Sequence, residues 1–204
     1  MPSLPAESAV DYVDALAAVK LARQLTSVLP QHVTRDYLTT VVQRAVALTP
    51  SSFNSQSTRV VVLHGRMHRL FWQRLIGHTV HLAKEAALLT DQVVPAACTV
   101  ILCEDMDVVR RMQATFPKYA SLLPGHAEQA SAMCELSVVS ALGCDGVATL
   151  SRHHRIDLHE NFHEVFTVPP SWEMRAQIAC GGCGNAGYEK ETLSDDHYFK
   201  IIRN

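Results

Sequence analysis

The sequence has no long hydrophobic run and no excess of charge of one sign. No apolar stretch approaches the roughly 18 residues that a membrane span requires, so we expect no span. The formal net charge is −2, and the lysines and arginines are scattered along the chain, which argues against nucleic acid as a partner. A small molecule is therefore the better expectation for the ligand.

The N-terminus also lacks a basic flank followed by an apolar block, so no secretion signal is expected. These absences predict a cytoplasmic protein. An organellar address stays open, because the predicted N-terminal helix is amphipathic although it is poor in arginine.

No internal repeat, linker or low-complexity segment is evident. The 204 residues, of which 48% are hydrophobic, are enough for one domain with a full core. We predict a single domain over residues 1–204. The six cysteines mostly lie in apolar segments, where a reduced thiol behaves as a small hydrophobic group, and we expect no structural disulfide.

Hydrophobic periodicity predicts alternating helices and short apolar strands. Thr34 is a suitable N-cap for one helix, and Pro50 ends it after Leu48. The predicted helices cover 7–24, 34–48, 66–89, 107–115, 126–142 and 158–166, and the predicted strands cover 59–64, 97–103, 147–150, 174–180 and 197–204. The last strand follows a Gly-rich and acidic segment at 181–196 and needs a sheet edge to pair with.

The segment at 49–59 is the most informative part of the chain. It reads Thr-Pro-Ser-Ser-Phe-Asn-Ser-Gln-Ser-Thr-Arg and leads directly into the apolar run at 60–63. Its serine hydroxyls and its Asn and Gln amides both donate and accept hydrogen bonds, which suits the edge of a flat heterocycle. The alternative is an ordinary polar turn after a helix.

This segment resembles the flavin-contacting loop of the FMN-dependent nitroreductase superfamily, and in particular the short branch that contains the fatty-acid-repression-mutant type. Further matches follow in the same order along the chain: Glu104-Asp105, Phe116-Pro117-Lys118-Tyr119, Glu128-Gln129-Ala130-Ser131, Ala141-Leu142-Gly143, Pro170-Ser171-Trp172 and Arg175-Ala176-Gln177.

The resemblance implies an α+β fold with a central, mostly antiparallel sheet flanked by helices. It also implies a homodimer in which the C-terminal strand is exchanged between subunits and the loop reaches flavin bound largely by the other subunit. The implied activity is reduction of a small-molecule oxidant, nitroaromatic or quinone-type, by NAD(P)H in a ping-pong cycle. The flavin N5 carries the hydride, so no catalytic side chain is expected.

The resemblance also assigns cofactor-binding residues. The loop contributes Pro50, Ser51, Ser52, Asn54 and Gln56. Arg23 matches the second arginine of a phosphate-binding Arg-Arg-Ser/Thr element, in which Ala22 replaces the first arginine and Gln24 the hydroxyl residue. Lys200 is the cation closest to the family's C-terminal arginine.

The family's Leu-Gln-His-Tyr element beside the flavin corresponds to Ser151-Arg152-His153-His154 here. His153 keeps its identity, whereas Arg152 replaces Gln and His154 replaces Tyr. Arg152 or His153 near the pocket would stabilise the anionic reduced flavin. The alternative is that both belong to a basic, solvated loop.

Two other functional classes stay open. His159 and His163 are four residues apart on a predicted helix, and Cys180 and Cys183 form a Cys-x-x-Cys pair, so together they have the residue types of a zinc-stabilised binding module. We favour no metal, because these residues also suit ordinary fold positions. A redox role for the cysteine pair is a related alternative. The remaining class is a catalytically weak flavin-fold protein that acts as a lipid- or stress-linked regulator.

Overall fold

A computed structural model describes residues 24–78, 83–154, 162–184 and 200–202 of the chain. Within them, five strands form one sheet with helices on both faces. The strands are β1 (Leu25–Thr26), β2 (Thr58–His64), β3 (Cys98–Asp105), β4 (Ala148–Arg152) and β5 (Trp172–Cys183). The α-helices are α1 (Arg35–Leu48), α2 (Gly65–His78), α3 (Ala83–Gln92), α4 (Met106–Thr115), α5 (Leu123–Cys144) and α6 (Phe162–Phe166).

All pairings in the sheet are antiparallel. β2 pairs with β3, β3 pairs with β5, and the other edge of β5 is shared by β4 and β1. The prediction of an antiparallel sheet flanked by helices is confirmed. The order β2–β3–β5–β4 places β2 and β4 three strand spacings apart, or about 14 Å at ~4.8 Å per spacing.

The sheet separates two hydrophobic layers, and β3 contributes to both because it is buried along its whole length. Val100 and Leu102 face α1 and α5, whereas Ile101 and Cys103 face α2, α3 and α6. Successive strand residues point to opposite faces. A strand covered on both sides therefore needs a continuous apolar run, which is what the sequence supplies at 97–103.

The helix before the loop begins and ends as its sequence predicts. The Thr34 hydroxyl accepts a hydrogen bond from the Tyr37 backbone N–H at 3.1 Å, which satisfies one of the unpaired donors of the first turn. The helix ends at Leu48, two residues before Pro50. The loop that follows therefore starts from a fixed position.

Some boundaries differ from the predictions. The expected helix at 66–89 corresponds to α2 and α3, and residues 79–82 between them lie outside the described part. Gly181 and Gly182 belong to β5 rather than to a detached linker. A Cβ atom at either glycine would collide with the backbone carbonyl of Thr26 or Val28, so the close approach of residues 24–28 requires glycine.

Several predictions fall on residues outside the described part. They include most of the helix at 7–24 with Ala22 and Arg23, and also His159. Of the predicted C-terminal strand only Lys200–Ile202 are described, and they make no β-bridge to the described strands. No helix among the described residues combines the length and the apolar character needed to cross a bilayer.

A buried polar chain links α2 to β3. The Trp72 indole N–H donates to the Thr99 hydroxyl oxygen at 2.7 Å, and the same hydroxyl lies 2.7 Å from His68 Nδ1. His68 Nε2 lies 3.2 Å from the Val94 carbonyl oxygen. A carbonyl only accepts, so Nε2 carries the proton and Nδ1 accepts from Thr99. Burial lowers the pKa of His68 because it disfavours the charged ring, although the hydrogen bond to the Val94 carbonyl opposes the shift.

We predict that protonation of His68 couples stability to pH. The unfolded chain takes up this proton near pH ~6.5, whereas the folded state resists it. The contribution of neutral His68 to the free energy of unfolding is present above that pH. It is lost as the pH falls toward and through the lowered pKa of His68 in the folded state. Urea unfolding at several pH values should show a shallower pH dependence in His68→Asn than in the unsubstituted protein. Equal slopes would contradict the assignment.

Candidate active site

The predicted flavin loop connects α1 to β2 and holds an uncommon backbone conformation. Phe53, Asn54 and Gln56 have φ values of 55°, 52° and 47°, in the left-handed region that non-glycine residues occupy at a cost of about 1–2 kcal/mol each. A short 3₁₀ turn over Ser52–Asn54 contains two of them. Such strain is maintained only where surrounding contacts impose it, and it is frequent at ligand sites.

Two side chains impose this conformation. The Ser51 hydroxyl oxygen accepts a hydrogen bond from the Gln56 backbone N–H at 2.9 Å. Arg59 donates to the Gln56 carbonyl oxygen at 2.6 Å and forms an ion pair with Asp105 at 3.1 Å. The Ser51 hydroxyl accepts here and keeps its own hydrogen to donate to a ligand. Arg59 was part of the sequence motif, but its structural role was not predicted.

The loop borders a cavity of about 120 Å³ between α1, the start of β2 and α5. Its lining includes the predicted residues Pro50, Ser51 and Gln56, together with Ala130 and Cys134 of α5. Ser52 instead lines a small neighbouring cavity. Pockets for drug-sized ligands usually measure about 300–1,000 Å³, so this cavity accommodates only part of a cofactor.

A buried carboxylic acid lies behind this cavity and was not assigned a role from the sequence. Glu104 is fully buried at the end of β3, and the Thr58 hydroxyl donates to its Oε1 at 2.7 Å. Burial raises the pKa of Glu104, although the Thr58 hydrogen bond and the charges of Arg175 and Arg59 oppose the shift. Thr58 lines the cavity, so it connects the buried acid to the site.

An aromatic group supports the outer side of the loop. Phe53 stacks on Phe116 with ring centroids 4.5 Å apart, and Tyr119 lies 5.6 Å from Phe53. Phe53 and Tyr119 are exposed. Both Phe116 and Tyr119 belong to a matched sequence segment, but only the structure shows that they contact the loop.

The other predicted cofactor residues do not line this cavity. Arg152 lies at the opposite edge of the sheet, where it donates to the Gln92 side chain of α3. His153 Nε2 lies within hydrogen-bond distance of Glu135 Oε2 of α5, at 2.9 Å. Lys200 is exposed, and Arg23 lies outside the described residues. Within one chain the loop and the Arg152–His153 pair therefore form two separate groups.

The structure separates the residues of the alternative zinc site. Cys180 and Cys183 are three residues apart on one strand, so they project from opposite faces, and Cys180 is buried whereas Cys183 is exposed. In the described ranges no three His, Cys, Asp or Glu side chains are grouped to hold a metal ion. His159 is not described, and the absence of a metal stays a prediction.

Comparison with known proteins supports the same assignment. No family model matches the chain. The chain is 28% identical over 187 residues to HBN1 of Saccharomyces cerevisiae, a provisionally named nitroreductase. The match covers 91% of this chain and 94% of HBN1. It is 24% identical over 173 residues to the nitroreductase FRM2 of the same yeast, covering 84% and 87%.

The fold comparison agrees over nearly the full length. The nitroreductase CinD of Lactococcus lactis, solved in complex with chloramphenicol, superposes with a TM-score of 0.85 at 25% identity, covering 94% of this chain and all of CinD. In sequence and in fold, the chain resembles the nitroreductase superfamily over nearly its full length. A more distant superfamily structure, from Desulfovibrio desulfuricans, was solved in complex with FMN; it matches with a TM-score of 0.67 at 14% identity, covering 95% and 98%.

We predict that Thr58→Val destabilises the protein by about 1–3 kcal/mol, because it leaves a buried oxygen of Glu104 without its donor. Thr58→Ser retains the hydroxyl and is the matched control. Urea unfolding at neutral pH measures both variants. A Thr58→Val protein as stable as the serine variant would show that this hydrogen bond does not support the site.

Proposed function

We propose that this nitroreductase-superfamily chain is an FMN-dependent oxidoreductase that uses NAD(P)H to reduce nitroaromatic or quinone-type acceptors. The observation that carries the proposal is the constrained polar loop beside an open cavity, in a fold shared with an FMN complex. CinD was also solved with chloramphenicol and with 4-nitrophenol, and both molecules carry a nitro group on an aromatic ring. A nitroaromatic acceptor is therefore a reasonable substrate class.

The groups offered by the loop suit the edge of a flavin ring. Ser51 retains a hydroxyl hydrogen to donate, and the exposed Asn54 and Gln56 amides each offer donors and an acceptor. A ring with alternating carbonyl and N–H groups requires this mixture. Because Arg59 and Ser51 fix the loop, little conformational freedom is lost when the ring binds.

FMN held by these residues would supply hydride-transfer chemistry at its N5. The chain's own residues would bind the cofactor, orient its ring and neutralise its phosphate. Ser51, Ser52 and Asn54 would orient the ring, and Arg23 and Lys200 would neutralise the phosphate. Reductant and acceptor would occupy the same open face in turn, which gives ping-pong kinetics without a side-chain nucleophile.

We further propose that each complete site is built from two chains. Arg152 and the loop are separated by three strand spacings across the sheet. Along the strands, Arg152 is level with Gln177 and Val61, which lies three residues beyond Thr58 at the end of the loop. A second subunit would bring its loop to the Arg152–His153 side of the first. Pairing of the C-terminal segment with the partner's sheet would strengthen this homodimer.

Exposed apolar side chains are consistent with such an interface. Leu48 at the end of α1 is 77% exposed, and Met133 and Leu136 on α5 are 41% and 59% exposed. These two helices also border the loop cavity. Burying this surface in a dimer would cover apolar groups and complete the site in one step. A cytoplasmic address stays a prediction from the sequence.

The proposed activity predicts a specific spectroscopic result. Protein saturated with FMN and freed of excess cofactor should be yellow, lose its visible absorbance when NADH or NADPH is added without oxygen, and regain it when a quinone or 4-nitrophenol follows. Protein that takes up no FMN would contradict the proposal and favour the regulatory alternative. Bound FMN that neither nucleotide reduces would contradict the enzymatic role alone.

Asn54 gives a residue-level prediction. Asn54→Ala removes a hydrogen bond to the ring worth about 0.5–1.5 kcal/mol, so FMN should bind up to about tenfold more weakly. Quenching of flavin fluorescence measures the dissociation constant. Thr90→Ala is the control, because the exposed Thr90 hydroxyl donates to the Ala86 carbonyl of its own helix, far from the loop in sequence. If both variants bind FMN like the unsubstituted protein, Asn54 does not contact the ring.

A further inference from the structure

Three side chains with acid–base or redox chemistry form a row across the sheet. The strand registers place His64 of β2 opposite Cys98 of β3, and Cys98 opposite Cys180 of β5. Directly opposed residues of antiparallel strands project to the same face. The row therefore brings an imidazole and two thiols together, and the proposed flavin site uses none of them.

The position of the two thiols suits a disulfide. Opposed residues in antiparallel strands have Cα atoms about 4.5–5.5 Å apart, and disulfides span Cα separations of about 4.4–6.8 Å. Both cysteines are fully buried and belong to the core layer facing α1 and α5. Side-chain rotation is therefore enough to join the two sulfur atoms without a change in strand register.

The surroundings make the two thiols unequal. The Cys180 thiol donates a hydrogen bond that favours the charged form of Cys98, and His64 and Arg35 act in the same direction. Burial opposes them, but the pKa of Cys98 is still lowered to about 6. The hydrogen bond to Cys98 and burial both raise the pKa of Cys180. Cys180 Sγ also lies 3.4 Å from the Ile178 carbonyl oxygen, a weaker acceptor than a thiolate.

The two other buried cysteines provide an internal comparison, because the neighbours that favour their thiolates, Arg175 for Cys103 and Thr49 for Cys134, do not outweigh burial. Burial raises the pKa of Cys103 to about 12 and the pKa of Cys134 to about 11. Thiolates, not thiols, react with oxidants. Burial alone therefore leaves a cysteine of this protein inert, and the row at His64 is different.

We propose that Cys98 and Cys180 form a peroxide-reactive dithiol that closes to an intramolecular disulfide, with His64 favouring the thiolate of Cys98. Hydrogen peroxide is small and uncharged, and the half-buried His64 links the row to solvent. The proposal does not depend on flavin binding.

The reaction balances in two steps. The Cys98 thiolate attacks one peroxide oxygen, the O–O bond breaks, and the products are a Cys98 sulfenic acid and hydroxide, which takes up the proton that Cys98 had released. The Cys180 sulfur then attacks the Cys98 sulfur, forming the S–S bond and releasing water. Two thiols are oxidised, and one peroxide is reduced to two waters. The bond joins the central strands β3 and β5 and closes a long loop, which stabilises the folded state.

The test uses a Cys144→Ser/Cys183→Ser protein, in which the two exposed cysteines are absent and four buried ones remain. The folded protein is treated with hydrogen peroxide, quenched, unfolded, alkylated and digested without reductant. Mass spectrometry should find one cross-linked peptide pair joining Cys98 to Cys180, lighter by two hydrogen atoms, and alkylated Cys103 and Cys134. Alkylated Cys98 and Cys180, or separate sulfinic acids without a cross-link, would overturn the proposal.

The part played by His64 is tested by rate. His64→Gln should form the cross-link several-fold more slowly at neutral pH, and the difference should shrink as pH rises and Cys98 ionises without help. His32→Gln, at an exposed histidine outside the row, is the matched control. Equal rates in the two variants at neutral pH would remove His64 from the mechanism and leave the dithiol to be judged by the cross-link.

Discussion

The rest of the structure depends on the burial of β3 on both of its faces. Alternate β3 side chains enter the two hydrophobic layers, and its edges pair with β2 and β5. Each helix that covers the sheet is therefore positioned against one strand. The end of β3 also positions the candidate site, because Glu104 bonds to Thr58 and Asp105 pairs with Arg59. The loop conformation is thus connected to the core through two carboxylates.

The same sheet explains why one chain holds only part of the proposed flavin site. β2 carries the loop at one edge, and β4 carries Arg152 at the other, with β3 and β5 between them. A cavity of about 120 Å³ beside the loop agrees with a site that a second chain completes. Assembly and cofactor binding would then be linked, since each subunit would hold groups that the other subunit's site needs.

Local signals made much of this fold predictable from the sequence. Thr34 and Pro50 fix the ends of α1, and the uninterrupted apolar run at 97–103 predicts a doubly buried strand. The loop was found because hydroxyl and amide residues cluster immediately before a strand. Its resemblance to a known family led to the prediction of FMN as the cofactor, which periodicity alone does not reveal.

Features that depend on strand register were not predictable. The sequence separates Cys98 from Cys180 by more than eighty positions, and only the pairing of β3 with β5 makes them neighbours. The contact between Thr58 and Glu104 and the stacking of Phe53 on Phe116 are of the same kind. The glycines at 181 and 182 read as a break in structure, yet they are strand residues that permit the close approach of Thr26.

The central claim, that a complete site needs the loop of one subunit and the β4 end of another, is tested most directly with a hybrid dimer. One subunit carries Ser51→Ala/Asn54→Ala and the other carries Arg152→Ala, with different affinity tags so that only the hybrid is purified. In a two-fold dimer, one of its two sites then has both substitutions and the other has neither. We expect the hybrid to hold half the tightly bound FMN of the unsubstituted dimer, and each parent variant to bind FMN weakly. A hybrid that holds no more FMN than its parents would contradict the claim.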